Sequence, residues 1–142
     1  MAENALPVQH LFTVTAQTTP PMMVQNGPQG TRMVVGVTGG TFEGPRLKGT
    51  VAPNAGGDYV TVRADGTIKL DVRLVLTTED GATILMTYNG IGKPREGGGY
   101  DLRTAPLFET GDARYTWLNS VQAVATGAPG RGNVTYTVYE LL

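Results

Sequence analysis

Alternation of apolar and polar residues from Thr67 to Thr77, interrupted only at Val75, is the feature that most constrains the fold. Side chains of an extended strand point alternately to its two faces, so the aliphatic residues share one face. No segment keeps an apolar pattern of helical period over about ten residues. The pattern therefore predicts an all-β chain. The aliphatic face holds Ile68, Leu70, Val72, Leu74 and Leu76, and the other holds Lys69, Asp71, Arg73, Val75 and Thr77.

Further segments are rich in the β-branched and aromatic residues that pleated sheets favour. Asp65-Gly66 and Asp80-Gly81 predict tight hairpin turns. Pro20-Pro21 predicts a break after the first strand and a longer excursion up to Gly30. The additional predicted strands are Gln9–Thr18, Thr31–Thr38, Arg46–Val51, Tyr59–Val62, Ala82–Asn89, Tyr100–Leu107, Tyr115–Ala125 and Asn133–Leu141.

So many strands joined by short turns predict one antiparallel domain over residues 1–142, either a barrel or a sandwich. We favour a single barrel of about eight to nine strands, because closure removes the two exposed edges of an open sheet. A barrel of that size has room inside for side chains or for one small ligand.

Composition excludes several classes of function. The 142 residues include no cysteine, one serine (Ser120) and one histidine (His10), so thiol catalysis, zinc–thiolate sites and His-rich metal sites are excluded. We expect no metal and no cofactor, and we interpret His10 as a strand-edge residue. A net charge of −1 without basic clusters predicts no nucleic-acid partner. Without an apolar run of membrane-spanning length or a secretion signal, we expect no membrane partner and a cytoplasmic location.

The segment Arg103–Asn119, RTAPLFETGDARYTWLN, is the densest in hydrogen-bonding and aromatic side chains. On a strand starting at Tyr115, the side chains of Tyr115, Trp117 and Asn119 would share one face and form a ligand wall. The alternative is a barrel rim in which Glu109 pairs with Arg114 while Trp117 fills the core.

Asp71 and Arg73 lie two residues apart on the polar face of the alternating strand. If the aliphatic face lines the interior, they form a weak surface pair. If that face packs on another subunit, they line the lumen and offer a substrate one base and one cation. The glycines of Gly39–Gly49 predict kinks at a barrel corner or close backbone approach.

GGTFEGPRLKGTV, VRADGTIKLDVR, the Asp80-Gly81 turn and RTAPLFETGDARYTWLN together resemble the bacterial and fungal DUF3237 family, also called UPF0311. The resemblance extends from His10 to Glu140. It implies a small antiparallel barrel, similar in outline to allene oxide cyclase and dirigent barrels, and an oligomeric assembly. Members often carry Asp-Trp where this chain has Asp58-Tyr59, so a pocket there would be tuned differently.

The resemblance also implies that Asp71 and Arg73 face the lumen and that the polar residues of the dense segment line a pocket. We therefore expect Asp71, Glu109 and Arg73 to be catalytic. The substrate-binding candidates are Arg103, Tyr115, Trp117, Asn119, Tyr59, Tyr88 and Phe42.

These residues predict a small cofactor-independent enzyme that acts on a small organic molecule in the lumen. A desolvated Asp71 or Glu109 would be the general base for isomerisation, cyclisation or addition and elimination. Arg73 or Arg103 would hold a substrate carboxylate or a developing enolate, and aromatic walls suggest an aromatic or polyketide-like substrate. The alternatives are a non-catalytic small-ligand-binding barrel and a buried polar network that sets barrel register. We expect a homo-oligomer, because an aliphatic strand face that does not line the lumen needs a partner subunit.

Overall fold

The structure is a computed structural model and describes residues 4–142. Over these residues the chain forms strands and the short 3-10 helix Thr116–Ser120, and it contains no α-helix. The strands are β1 (Val8–Thr18), β2 (Met22–Gly27), β3 (Gly30–Glu43), β4 (Lys48–Val51), β5 (Gly57–Val62), β6 (Ile68–Thr78), β7 (Thr83–Pro94), β8 (Tyr100–Thr104), β9 (Leu107–Glu109), β10 (Ala123–Pro129) and β11 (Asn133–Leu141).

Eight of these strands close into an antiparallel barrel. Around the ring the order is β6-β5-β3-β1-β11-β10-β8-β7, and pairing of β7 with β6 closes it. The predicted all-β barrel is thus confirmed. β4 pairs with both β3 and β6 farther along these strands than β5 does, β9 adds to β7, and β2 pairs with β3.

Two segments differ from the sequence-based prediction. The excursion after Pro20-Pro21 contains strand β2, which folds back on β3 as a hairpin. The predicted strand Tyr115–Ala125 is wrong in its first half, because the chain there forms the 3-10 helix and β10 begins only at Ala123. The N–H of Leu118 donates to the carbonyl of Tyr115 at 2.9 Å, a bond within one turn that an extended strand does not form.

The aliphatic face of β6 points into the barrel. Ile68, Leu70, Val72, Leu74 and Leu76 are all at most 5% exposed. Burial of this apolar surface is the main stabilising contribution available to a sheet that closes on itself. Of the two arrangements that the sequence allowed, the aliphatic face therefore lines the interior, and the polar face of β6 lies on the outside.

The two ends of the barrel are filled differently. At one end three phenylalanines pack together: the ring centroids of Phe12 and Phe42 are 5.3 Å apart, and those of Phe12 and Phe108 are 5.9 Å apart. We call these three residues the phenylalanine plug. Gly40 lies beside it with φ of 144°, where a Cβ would overlap the carbonyl of Thr15, so the predicted close backbone approach is confirmed. The other end is open.

Candidate functional site

The open end of the barrel leads into a cavity of about 510 Å³. Its size falls in the range of small-molecule sites. Aliphatic side chains from β3, β5, β6 and β8 form most of the wall, while polar groups are few. The apolar wall includes Val35, Val37, Val60, Leu70, Val72 and Leu102.

Asp58 is the carboxyl group of this cavity. It lies on β5, in register with Val35 of β3 and Val72 of β6, and shares the inner face with Val60. Burial raises the pKa of Asp58 from 3.8 to about 6; the backbone N–H of Asp71 lowers it, and the charge of Asp71 raises it further. A carboxyl with a pKa close to neutrality can exchange a proton at physiological pH.

The backbone ladder opens next to Asp58. β5 and β6 are in register at Asp58–Val72 and again at Thr61–Lys69, but no bridge forms at the two intervening positions of β5. The N–H of Asp71 instead donates to Oδ1 of Asp58 at 3.1 Å. The side-chain carboxylate therefore replaces a backbone acceptor, which holds it at a defined place in the wall.

Two tyrosines face Asp58 within the cavity. Tyr88 of β7 is in register with Val72, and its ring meets that of Tyr136 of β11 edge to face with centroids 5.2 Å apart. Burial raises the pKa of both phenols; the charge of Asp58 contributes to each, and that of Tyr136 contributes to Tyr88. Both phenols thus remain protonated at neutral pH and can donate hydrogen bonds.

Gly127 makes room for the Tyr136 ring. It lies on β10 directly opposite Tyr136, and a Cβ there would overlap the ring. The glycine therefore allows the aromatic side chain to lie against the wall instead of filling the lumen. Glycine in a strand often marks such a close approach.

The rim of the cavity consists of two loops tied to neighbouring strands. The N–H of Thr18 donates to the carbonyl of Gly132 at 3.0 Å, and the N–H of Gly36 donates to Oγ1 of Thr19 at 2.9 Å. Arg131, in the loop between β10 and β11, also lines the cavity there. The rim thus adds a cation and several polar groups above the apolar wall.

Asp71 and Arg73 do not line the lumen, so the predicted lumenal placement is wrong. Their side chains are on the outer face because the aliphatic residues that alternate with them along β6 occupy the interior. The Asp71 carboxylate accepts from the Asn89 side chain at 3.3 Å. Asp71 nevertheless contacts the cavity indirectly, through its backbone hydrogen bond to Asp58.

The dense segment forms a hydrogen-bonded corner away from the cavity. Arg114 binds both carboxylate oxygens of Asp112, at 3.0 and 2.8 Å, and the carbonyl of Asp80 at 2.9 Å. The Tyr115 hydroxyl donates to Asp80 at 2.8 Å. Arg114 therefore pairs with Asp112 and Asp80, and the pairing of Arg114 with Glu109 that the alternative interpretation gave does not occur. We call Asp80, Asp112, Arg114 and Tyr115 the corner network.

The predicted ligand wall of Tyr115, Trp117 and Asn119 is likewise wrong. Trp117 packs under the guanidinium of Arg46, which lies 3.8 Å from the ring centroid. Asn119 makes two 2.9 Å hydrogen bonds with the backbone of Thr110. Trp117 and Asn119 are thus held by contacts within the protein, whereas Tyr115 lines a second, more open cavity of about 400 Å³ together with Arg46.

The remaining predicted residues divide between core, surface and cavity. Phe42 belongs to the phenylalanine plug, while Glu109, Arg103 and Tyr59 lie on the outer surface, where Arg103 donates to the carbonyl of Leu102. Only Tyr88 among the predicted site residues lines the cavity.

Asp58 and Tyr136 were missed by the sequence reasoning, although a signal for each exists. On β5, alternation places Asp58 on the same face as Val60 and Val62, and a carboxylate on an apolar face is unusual. Tyr59, one of the predicted substrate-binding residues, has the opposite parity and is 49% exposed. Tyr136 alternates in the same way with Val134 and Val138 on β11.

Neither a metal cluster nor a membrane-spanning helix is found in residues 4–142. No three of their His, Asp and Glu side chains come together in a way that could hold an ion. No helix in this part of the chain has the length and apolar character needed to cross a bilayer.

Comparison with known proteins places the chain among proteins of largely unknown function. The model of a family described as "Protein of unknown function (DUF3237)" matches residues 6–141. A UPF0311 protein of Rhodopseudomonas palustris is 27% identical over 150 residues, covering 96% of this chain and 97% of that protein. A β-barrel-like protein from Acinetobacter baumannii has a similar solved structure, with a TM-score of 0.88, 29% identity and coverage of 98% of this chain and 99% of that chain.

One relative carries a functional name. The hydroalkoxylation enzyme phnH of Penicillium herquei is 31% identical over 133 residues, covering 93% of this chain and 80% of that enzyme. Hydroalkoxylation is the addition of an O–H group across a carbon–carbon double bond. A relative of this chain is therefore an enzyme.

Proposed function

The chain belongs to the DUF3237 family, and on that premise we propose that it is a small enzyme that catalyses acid–base chemistry on an organic molecule held in the barrel cavity. The reaction is an addition of a hydroxyl group to a carbon–carbon double bond, or a related cyclisation or isomerisation. The name of the Penicillium herquei relative supports this class of reaction. The observation that carries the proposal is the carboxyl of Asp58 beside two tyrosines in an apolar cavity.

Asp58 is the group that moves the proton. Its ionised form accepts the proton of the substrate hydroxyl, while its protonated form donates to the carbon of the double bond. A pKa of about 6 gives both forms in usable amounts near neutral pH. The hydrogen bond from the Asp71 N–H fixes one carboxyl oxygen and leaves the other for the substrate.

Tyr88 and Tyr136 orient the substrate and stabilise charge. Both phenols keep their protons at neutral pH, because burial raises their pKa values. A donor fixed in an apolar cavity stabilises developing negative charge more strongly than water does. The two hydroxyls are therefore suited to an oxygen that becomes negative during the reaction.

The chemistry balances without an added reactant. In the addition, the O–H bond and the π bond break while a C–O bond and a C–H bond form. The proton leaves the oxygen and returns to carbon, so there is no net oxidation or reduction. A general acid–base group and a defined substrate pose are sufficient for such a step.

The aliphatic wall supports a second candidate, a binding module that carries a small ligand without changing it. Most of the lining is apolar and needs no catalytic group to bind. This candidate assigns Asp58 only a hydrogen-bonding role. It thus predicts that a ligand is retained unchanged by the protein.

A comparison of two proteins tests the proposal. Wild type and Asp58→Asn are each incubated with a metabolite extract, and the products are analysed by untargeted mass spectrometry together with native spectra of the protein. A metabolite consumed by wild type and spared by Asp58→Asn supports the enzyme. A ligand retained unchanged by both supports the binding module, and a metabolite consumed equally by both contradicts the role of Asp58.

We also propose a homo-oligomer, in a cytoplasmic setting that suits a chain without cysteine. The aliphatic face of β6 is not the interface, because it lines the cavity. A different surface supports assembly: Met22, Val34 and Tyr59 are in register on the outer face, and Met22 is 73% exposed. Light scattering of wild type and Tyr59→Asp tests this, and a monomeric wild type would contradict it.

A further inference from the structure

We propose that the cavity selects its ligand by charge, with Asp58 as the specificity-determining residue. It takes a neutral, mostly apolar molecule that donates a hydroxyl hydrogen bond to Asp58, and it rejects carboxylates and other anions. This inference rests on the function proposed above and names the class of substrate for the same site.

The distribution of charge along the cavity supports this selection. Among the described residues that line it, only Asp58 and Arg131 carry a formal charge at neutral pH. Arg131 is in the rim loop, whereas Asp58 is on the barrel wall beside the aliphatic residues. The inner part of the cavity therefore holds a negative charge and no cation.

The arginines expected to hold an anion are outside. Arg73 and Arg103 are both exposed on the outer face, and Arg103 donates to the carbonyl of Leu102. An anion beside Asp58 would lose its hydration without gaining a cationic partner, and it would be repelled by the carboxylate. A substrate carboxylate is thus disfavoured at this site.

A neutral hydroxyl group, by contrast, is favoured beside Asp58. Oδ1 of Asp58 already accepts from the Asp71 N–H, so its remaining acceptor capacity is open to a donor in the cavity. Burial of a carboxylate is less costly when it is hydrogen-bonded. The aliphatic wall then contacts the rest of the molecule, which favours an apolar body.

The charge of Asp58 makes the selection depend on pH, and other ionisable groups surround this residue. Burial raises the pKa of Asp58 to about 6, so its charge, and with it the rejection of anions, increases between pH 5 and pH 8. The ionisable side chains on the elements packed around it include Lys69, Asp71 and Arg73 of β6, Arg32 of β3, Tyr88 of β7, Tyr100 of β8, Tyr136 of β11 and Arg131 at the rim.

Two fluorescent probes that share a ring system test the proposal. N-phenylnaphthylamine is neutral, and anilinonaphthalene sulfonate carries one negative charge. Their dissociation constants are measured at pH 5 and pH 8 for wild type, for Asp58→Asn and for Glu96→Gln, which removes a negative charge from an exposed turn. For wild type we expect the sulfonate to bind at least about tenfold more weakly at pH 8 and the neutral probe to change less than about threefold.

Asp58→Asn should remove the pH dependence of sulfonate binding, and Glu96→Gln should leave it as in wild type. Equal binding of the sulfonate to wild type at both pH values, with the neutral probe bound, would overturn the charge selection alone. Persistence of the pH dependence in Asp58→Asn would overturn the assignment to Asp58. Failure of the neutral probe to bind wild type at either pH would overturn the proposed function as well.

Discussion

Oδ1 of Asp58 accepts a hydrogen bond at 3.1 Å from the backbone N–H of Asp71, although the two side chains lie on opposite faces of the barrel wall. The contact crosses a point where the ladder between β5 and β6 is open. It links a group inside the cavity to a charge on the surface. Substitution of Asp71 on the surface therefore tests the pKa of Asp58 inside the cavity.

Replacing Asp58 should lower kcat strongly, while replacing Asp71 should shift only the pH dependence of the rate. Asp58→Asn removes the group that moves the proton, so we expect a loss of at least about 100-fold in kcat. Asp71→Asn removes a charge that raises the pKa of Asp58, so the acidic limb of the pH–rate profile should move to lower pH. Steady-state kinetics over pH 4–9 check both, and full activity of Asp58→Asn would refute its role.

Ionisation of Asp58 should lower the free energy of unfolding as the pH rises, whereas ionisation of a carboxylate with a lowered pKa raises it. The pKa of Asp58 is raised from 3.8 to about 6 on folding, so the folded state binds more protons between these values. Stability from this group is therefore present below about pH 4 and lost as the pH rises through about 6. Asp58→Asn should exceed wild type in free energy of unfolding by roughly 1–3 kcal/mol at pH 7.

Urea unfolding of both proteins at pH 4 and pH 7 measures this difference. Asp65, Asp80 and Asp112 have lowered pKa values, so their contributions change at lower pH and are common to both proteins. A constant difference between the two proteins at the two pH values would show that Asp58 does not titrate with a raised pKa.

Removing the tyrosine hydroxyls should reduce catalysis more than folding. Tyr88→Phe and Tyr136→Phe keep the edge-to-face ring contact but lose a donor in the cavity. We expect activity to fall by up to about 100-fold, with a change of about 1 kcal/mol in stability. Tyr139→Phe, at a tyrosine that does not line the cavity, is the control. Equal effects of the three substitutions on activity would argue against a specific role of the two cavity tyrosines in catalysis.

Gly127→Ala should reshape the cavity. The added methyl would overlap both the Tyr136 ring and the backbone carbonyl of Thr135, so the ring and the adjoining β11 backbone must both shift. We expect a loss of about 1–3 kcal/mol in stability and weaker ligand binding. Gly111→Ala is the matched control, because a Cβ there meets no atom within 4 Å. Binding of N-phenylnaphthylamine reports on the cavity, and unchanged binding to Gly127→Ala would show that Tyr136 does not move.

The corner network should be structural only. Asp80→Ala removes the acceptor of the Tyr115 hydroxyl and a partner of Arg114, so the melting temperature should fall. Ligand binding and kcat should stay at the wild-type level, since no member of the network lines the cavity. Glu109→Gln, at an exposed position, should change neither quantity. A specific loss of kcat in Asp80→Ala would place chemistry at the corner after all.

The sequence predicted the barrel because alternation and turn chemistry agree. Asp65-Gly66 and Asp80-Gly81 lie between paired strands, and the flanking Arg63–Thr67 and Thr78–Ala82 backbone bonds close both turns. Strand β2 was missed because Pro20-Pro21 precedes it and its residues, MMVQNG, show no alternation. It forms through pairing with β3, which local propensity does not reveal.

The site was harder to predict than the fold. Polar and aromatic side chains are dense both in a corner network and in a binding site, so composition alone cannot separate the two. Parity along β5 was the stronger signal, since it places Asp58 with the valines and Tyr59 outside. That Tyr136 and Tyr88 meet across the barrel depends on the registers of β11 with β10, β10 with β8 and β8 with β7, which no single strand specifies.

The phenylalanine plug and the cavity occupy opposite ends of one barrel, and this has a consequence for adaptation. Most mutations that alter a binding surface also cost stability. Here the phenylalanine plug at one end is spatially separate from the rim residues at the other end, whereas the aliphatic residues of β6 belong both to the core and to the cavity wall. Substitutions at rim positions such as Thr19 and Arg131 should therefore alter selectivity at a lower cost in stability than substitutions in the aliphatic wall, which makes the rim the suitable starting point for directed evolution.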